Sequence, residues 1–474
     1  MPSSAPAATP QTSRNRYMVW LVAGAFFMEL LDSTIITTAM PQMAASFGTD
    51  PLHLSAGMSA YLLALAVFIP LSGWMADRFG ARQVFGGAIL VFTLASLLCS
   101  VSGSLAQFTA ARILQGFGGA MMVPVGRMVV LRATPKDKLV TAIAMLTWPA
   151  LGAPVLGPVL GGWITTHLSW HWIFLINIPL GLIGFGLTLW LIDGQPGGRR
   201  PFDTPGFFLS GIGCSAIMYA CELASHTPFS PTRVALSALV GSVALWAGVR
   251  HFRRCAHPLV DLSAFQVVTF RATMRSGSLF RMTINAAPFL MPMMFQLAFG
   301  FSATEAGLML LALFAGNIAM KPLTTPWMRA WGFRRVLIVN GLLVVAGFLL
   351  CIPLAADTPR WLIMAVLFFT GLSRSMQFTA LSTFSFCDIT PERMSGASTL
   401  SSILVQMSAG LGVALAAVIL RVAQIGFPAE AGLAMSPDAF RVAFVLMALV
   451  SLAGLRDLLP LPANAGAAVS GQRG

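Results

Sequence analysis

The stretch Gly73-Trp74-Met75-Ala76-Asp77-Arg78-Phe79-Gly80-Ala81-Arg82 sets one acid and three arginine-flanked turn positions between two long apolar runs, 54–75 and 84–103. Each run is close to the ~20 residues a helix needs to cross hydrocarbon. A polar connector this short leaves no room for a domain, so the chain must turn and re-enter. Gly80 permits the tight reversal. Asp77 falls near the N-terminus of the next run, where a helix dipole favours a carboxylate and a neighbouring arginine can pair with it. A plain connector accounts for Arg78 and Arg82, but not for the aspartate or for glycines at both ends, Gly73 and Gly80.

Working outward, the same alternation fills the chain. Of 474 residues 57% are hydrophobic and 9% charged, with a mean hydropathy of +0.80. Soluble proteins carry roughly 25% charge, so a water-facing surface is excluded. The apolar runs are continuous rather than alternating, which excludes a β-barrel, and a helix satisfies every backbone polar group within itself. The segmentation predicts an all-α integral membrane protein with fourteen spans. They are 17–39, 54–75, 84–103, 106–129, 140–164, 172–192, 205–224, 232–250, 275–298, 304–326, 336–354, 361–383, 395–421 and 438–457.

Basic residues orient these spans. With the N-terminus inside, the inner segments hold Arg14, Arg16, Arg78, Arg82, Arg132, Lys136, Lys138, Arg199 and Arg200. They also hold Arg250, Arg253, Arg254, Arg271, Arg275, Arg329, Arg334, Arg335 and Arg393. The outer segments 40–53, 165–171, 225–231 and 422–437 hold no Lys or Arg. This asymmetry places both termini in the cytoplasm. The formal charge of +13 is then a rim facing anionic headgroups. A nucleic-acid partner is not expected, because no soluble basic module is present. Residues 1–16 and 458–474 read as short cytoplasmic tails, the first disordered and unlike a signal peptide. The six cysteines show no metal spacing and read as small hydrophobes. No metal and no cofactor are expected.

Several intramembrane residues go beyond composition. Span one carries Glu29 and Asp32, three apart and on one face. An ionised carboxylate cannot face lipid, so this face lines a cavity or is protonated. Span four carries Arg112 at a depth similar to that of Asp32. The two are candidates for a coupled proton site, a static ion pair being the alternative. Span five carries Gly152, Pro154, Gly157, Pro158, Gly161 and Gly162, a density expected where a helix bends or slides. In the second half, Arg374 lies mid-span with Gln377 beside it on the same face. Arg127, Arg281 and Lys321 are nearer the inner side and are expected to snorkel. Asn285, Met291 and Met294 complete a candidate substrate cavity, the methionines serving either adaptable contact or ordinary packing.

Together these strings resemble the major facilitator superfamily, and within it the fourteen-helix drug:proton antiporter family. Gly73 to Arg82 is similar to the loop after the family's second helix. Leu31-Asp32-Ser33-Thr34-Ile35-Ile36-Thr37-Thr38-Ala39-Met40-Pro41 resembles the first-helix motif, with Thr37 where Asn is more usual. Gly152 through Gly162 resembles the antiporter motif of helix five. The string from Trp170 to Gly181 is similar to a Trp-Arg-Trp-Ile-Phe signature, with His171 in the arginine position. The counterpart near 325–334 departs: aligned on Gly332, Arg329 stands where Asp77 stands, so the second inner gate is built differently.

The resemblance implies two six-helix bundles, 17–192 and 275–457, with two accessory helices and a linker over 193–274. It implies Asp32 and Arg112 as proton-linked residues, with Glu29 the next carboxylate, and Gly73, Asp77, Arg78, Gly80 and Arg82 as a gating loop. The expected function is export of small amphiphilic or drug-like molecules by proton antiport, driven by the gradient across a bacterial inner membrane. The expected partners are lipid, protons and a small-molecule substrate, with the chain a monomer. Import by a symporter or facilitator is the alternative, and a receptor or scaffold a third reading that needs no buried charge.

Overall fold

The computed structural model describes residues 10–48, 51–135, 138–194, 198, 201–225, 230–428, 435–462 and 466. All regular structure among them is helical. Two compact units divide the chain at Pro201 and Phe202.

The first unit begins with α1 (Pro10–Phe47), α2 (Pro51–Phe68), α3 (Leu71–Phe79), α4 (Ala81–Ser100) and α5 (Leu105–Ala133). It ends with α6 (Leu139–His167), α7 (His171–Leu175) and α8 (Asn177–Leu191). Here α1 packs chiefly on α6, α5 lies between α2 and α4, and α8 packs on α4. The segment expected as one span over 54–75 is a bent pair: α2 and α3 meet at 59° beside Pro70. Proline removes a backbone donor and ends the first helix there.

The tail expected over 1–16 is shorter than the sequence suggests. Residues 10–16 are the opening turns of α1. They are held by Arg14, whose Nη2 donates to Asp193 Oδ1 at 2.5 Å, and by Asn15, whose Nδ2 donates to the Ala133 carbonyl at 2.9 Å. Residues 1–9 lie outside the described residues.

The second unit holds α9 (Thr204–Ser225), α10 (Pro231–Phe252), α11 (Val268–Met293), α12 (Ala303–Ala319) and α13 (Lys321–Trp331). It continues with α14 (Phe333–Cys351), α15 (Arg360–Phe384), α16 (Met394–Gly426) and α17 (Pro437–Ala453). A wider helical turn over Met294–Ala298 extends α11, which carries Pro288 and Pro292. α12 and α13 form the second bent pair, at 47°. α9 packs on α10 and α16, so the segment 193–274 contributes helices to this unit. The chain end beyond α17 is also pinned: Leu458 and Leu461 are buried, and Arg334 Nη2 donates to the Leu459 carbonyl at 2.8 Å.

Among the described residues nine helices are long and apolar enough to cross a membrane, or eleven if each bent pair is one span. Their outward faces are apolar too. On α10 only 11% of the apolar window is buried, and Leu236, Leu239, Val243 and Trp246 are exposed. An apolar face of that extent is stable against lipid and unstable in water. The chain is a multi-pass membrane protein.

Gly80 and Gly332 mark a repeat that links the two units. Each follows a short helix after a bend, with φ of 87° and 74°, and each donates its N–H back one turn, to Ala76 and to Met328. Those positive φ values favour glycine. They place the next helix, α4 or α14, at the same kind of reversal.

Candidate functional site

A buried polar cluster in the first unit is drawn from five helices. Asp32 of α1 is 1% exposed, and Arg112 of α5 donates to its Oδ2 from Nη1 at 2.6 Å. The other carboxylate oxygen accepts from Gln115 Nε2 and from Asn177 Nδ2, each at 2.9 Å. Arg112 Nη1 also donates to Gln115 Oε1, and Ser96 Oγ of α4 receives both amides, at 2.8 Å from Gln115 and 3.3 Å from Asn177. The Tyr61 ring of α2 covers the guanidinium, 4.4 Å from Cζ to centroid. Taking two charges out of water costs several kcal/mol each, and only close pairing with further hydrogen bonds offsets that. Asp32 has both.

The sequence placed Asp32 and Arg112 at one depth, and the structure brings them into contact. It does not bring Glu29 into the cluster. Glu29 Oε1 is 3.5 Å from the Tyr61 hydroxyl, the long limit of a hydrogen bond, and buried Oε2 has no donor. Tyr61 thus touches both acids' surroundings, its ring on Arg112 and its hydroxyl toward Glu29.

Three partners escaped the sequence reading. Gln115 lies one turn after Arg112, and that i, i+3 spacing was the available signal. Asn177 is the sole amide side chain of the run 172–192, and Tyr61 is one of three tyrosines in the chain. A lone polar side chain in an apolar run marks a buried partner.

α6 supplies the wall against α1. Thr34 Oγ1, half a turn beyond Asp32, donates to the Ala153 carbonyl at 3.2 Å. A Cβ on Gly157 would strike the Thr34 hydroxyl, so this glycine sets the α1–α6 distance. Gly152 and Gly162 have room around them, Gly161 is buried, and α6 runs uninterrupted through Pro154 and Pro158, whose side chains lie outside the described ones.

The residues expected to form a gating loop lie on α3 and at the start of α4. Asp77 Oδ1 lies 3.7 Å from Arg132 Nη2, and the Asp77 carbonyl accepts from the Gly198 N–H at 2.8 Å. Arg82 packs beside Gly194, Gly73 is buried within α3, and Arg78 is half-buried near its end.

In the second unit the predicted cavity residues separate by role. Gln377 is fully buried and its amide is engaged within the α14–α15 contact: Oε1 accepts from Asn340 Nδ2 at 2.9 Å and Nε2 donates to the Leu337 carbonyl at 3.4 Å. Met291 and Met294 are buried core, and Asn285 Nδ2 donates to the Arg281 carbonyl one turn back. Arg374 is half-buried, with Nη1 fully enclosed and lacking a hydrogen-bond partner.

Arg281 and Lys321 do not snorkel. Arg281 is 1% exposed because its guanidinium folds back against Gly277, where no side chain competes, beside Leu381 of α15. Lys321 is 6% exposed, and its Nζ donates to Thr379 Oγ1 at 2.8 Å. Helix-to-helix contact, rather than distance from the membrane surface, decides where these cations lie.

Comparison with known proteins agrees with this architecture. The chain is 39% identical over 405 residues to the "Putative multidrug resistance protein MdtD" of Pectobacterium carotovorum subsp. carotovorum strain PC1, covering 85% of this chain and 87% of that one. The protein of the same name from Escherichia coli O6:H1 strain CFT073 is 38% identical over 405 residues, covering 85% and 86%. Two solved structures share the fold at low identity. The human organic anion transporter MFSD10 (TETRAN) gives a TM-score of 0.63 at 15% identity, covering 94% of this chain and 99% of that one. The proton:xylose symporter XylE, bound to 6-bromo-6-deoxy-D-glucose, gives 0.66 at 13%, covering 96% and 98%. The profile described as Major Facilitator Superfamily matches residues 22–269 and 275–468. A helical membrane chain with a buried acid–arginine cluster, matched over nearly its whole length, belongs to the major facilitator superfamily, a non-enzymatic family of secondary transporters of small molecules.

Proposed function

We propose that the chain is a proton-coupled antiporter exporting small amphiphilic molecules across a bacterial inner membrane. The observation that carries this is the buried Asp32–Arg112 contact, an acid and a base held in the interior of a transporter fold where a proton changes the local charge. The similarity of the chain to proteins named for multidrug resistance supports the exporting direction. In this reading α6, α11 and α17 join the eleven spans already counted to make fourteen, with both termini cytoplasmic. α1–α8 and α11–α17 form the two bundles, and α9 and α10 are accessory helices.

Protonating Asp32 from outside removes the charge that holds Arg112. Gln115 Oε1 and the Tyr61 ring then remain as its partners. Substrate binding from inside competes for the same facing state, and the coupling between proton and substrate is reciprocal. A membrane potential contributes about 2.3 kcal/mol per charge per 100 mV to the exchange.

Purified protein in liposomes tests the proposal. An imposed proton gradient drives uphill exchange of an amphiphilic probe in the unaltered protein, and Asp32→Asn abolishes it while the protein remains folded. Undiminished uphill exchange in Asp32→Asn sinks the coupling role. Accumulation of the probe on the side to which protons flow makes the protein a symporter instead.

A further inference from the structure

The seam between α12–α13 and α15 holds a set of polar atoms that the fold itself leaves unsatisfied. Gly371 of α15 brings the two helices to backbone contact: a Cβ there would meet the Leu313 carbonyl and lie 2.9 Å from the Asn317 nitrogen. Asn317 is 2% exposed, yet its Oδ1 has no partner. Arg374 and Ser375 follow Gly371 by three and four residues, so both flank the face that meets α12. Arg374 Nη1 and Ser375 Oγ are buried and likewise without a partner. One turn beyond Asn317, Lys321 reaches Thr379 on the same helix α15.

Buried polar groups are nearly always hydrogen-bonded, so three orphans on one seam are unusual. They are also complementary to one kind of ligand. A guanidinium presents parallel N–H donors that match a carboxylate, and the serine hydroxyl adds another donor. Water would satisfy Asn317 and Ser375 but would leave the arginine charge unbalanced at membrane depth. A cationic ligand would meet Arg374 and Lys321 together. We propose that the α12–α13/α15 seam is a subsite for the carboxylate of an acidic or zwitterionic substrate, with Arg374 as the anchoring residue and Asn317 and Ser375 as its neighbours in the site. This names the substrate class and rests on the transporter reading above. The Asn317 acceptor would suit an N–H or O–H placed beside the carboxylate.

Matched fluorescent probes test the subsite on the full chain in detergent. Dansylglycine carries the carboxylate, and dansylglycinamide replaces it with a neutral amide. The unaltered protein binds the acid at least tenfold more tightly. Arg374→Gln erases that preference and keeps amide binding, while Arg374→Lys keeps part of the preference. Equal binding of acid and amide by the unaltered protein overturns the proposal, as does a full preference in Arg374→Gln. Should Arg374→Gln fail to fold, Asn317→Ala and Ser375→Ala decide: a reduced preference in either supports the site, and an unchanged one in both rejects it. An Arg374-dependent preference in a protein whose liposomes show no proton-driven exchange would leave the site standing and remove only the antiport reading.

Discussion

The interiors of the two units solve the burial of charge in different ways. In the first, Asp32 and Arg112 meet at 2.6 Å and share Gln115, Asn177 and Ser96. In the second, the buried charges on the membrane helices among the described residues are Arg281 and Lys321, both cationic, with half-buried Arg374 between helices that carry unpartnered polar atoms. In the first an acid answers the base, although Arg112 Nε and Asn177 Oδ1 have no hydrogen-bond partner; in the second, among the described residues, no buried acid on the membrane helices answers a buried cation. The two differ in this way on a scaffold whose bent pairs and positive-φ glycines repeat in both units.

The largest expected effect tests this contrast through stability. Arg112→Met leaves Asp32 buried beside no cation, and removing one partner of a buried pair costs about 3–5 kcal/mol. Arg374→Met removes a guanidinium whose Nη1 has no bond to lose, so the cost is about 1 kcal/mol or less, or a small gain. Thermal unfolding in detergent reads both. Equal losses would mean that Arg374 is as firmly partnered as Arg112.

A smaller effect sharpens the first unit alone. Gly157→Leu drives a side chain into the Thr34 hydroxyl, two residues beyond Asp32 on α1, and overpacking of this kind costs about 1–3 kcal/mol. Gly162→Leu, five residues later on α6, enters open space and is near neutral. If α6 only packs, exchange falls in proportion to folded protein. If the α1–α6 distance matters to coupling, exchange per folded molecule falls in Gly157→Leu and not in Gly162→Leu.

How far the sequence reached follows the same division. Nine to eleven of the expected spans were legible as helices because each apolar run is a local property, and Asp32 with Arg112 because depth can be counted along a helix. The bend at α2–α3 was hidden inside continuous hydropathy, since a chain can turn 59° without adding a polar residue, and at the α12–α13 bend Lys321 was read as a snorkelling cation within one span. Gln115, Asn177 and Tyr61 were hidden because their value depends on five helices converging. Gln377 was read toward the cavity, yet the α14–α15 contact claims both ends of its amide. Arg281 was read as snorkelling because sequence position reports depth and not the space that Gly277 leaves.

The smallest effect concerns Asp203, the one acid buried in the second unit among the described residues, outside its spans. Asp203, at the start of α9, has a side chain 2% exposed. Its Oδ1 accepts from Gly206 N–H at 2.9 Å and from His251 Nε2 at 2.7 Å, and its Oδ2 accepts from Leu259 N–H at 3.0 Å. Burial alone raises this carboxyl, but the bonds from Leu259, Gly206 and His251 outweigh it and hold the group below its ordinary value. A lowered carboxyl stabilises the fold at every pH above the unfolded value of about 3.9, and the contribution disappears as pH falls through the folded value. Hydrogen exchange at Leu259, corrected for its intrinsic pH dependence, should therefore stay protected from pH 7 down to about 4 and loosen only below that. Asp203→Asn turns an amide nitrogen toward one of these donors, so at pH 7 the same peptide should exchange about tenfold faster, a loss of about 1.4 kcal/mol. Protection at Leu259 that is already lost by pH 6, or that is unchanged in Asp203→Asn, would show that the linker between α10 and α11 is held by something other than this acid.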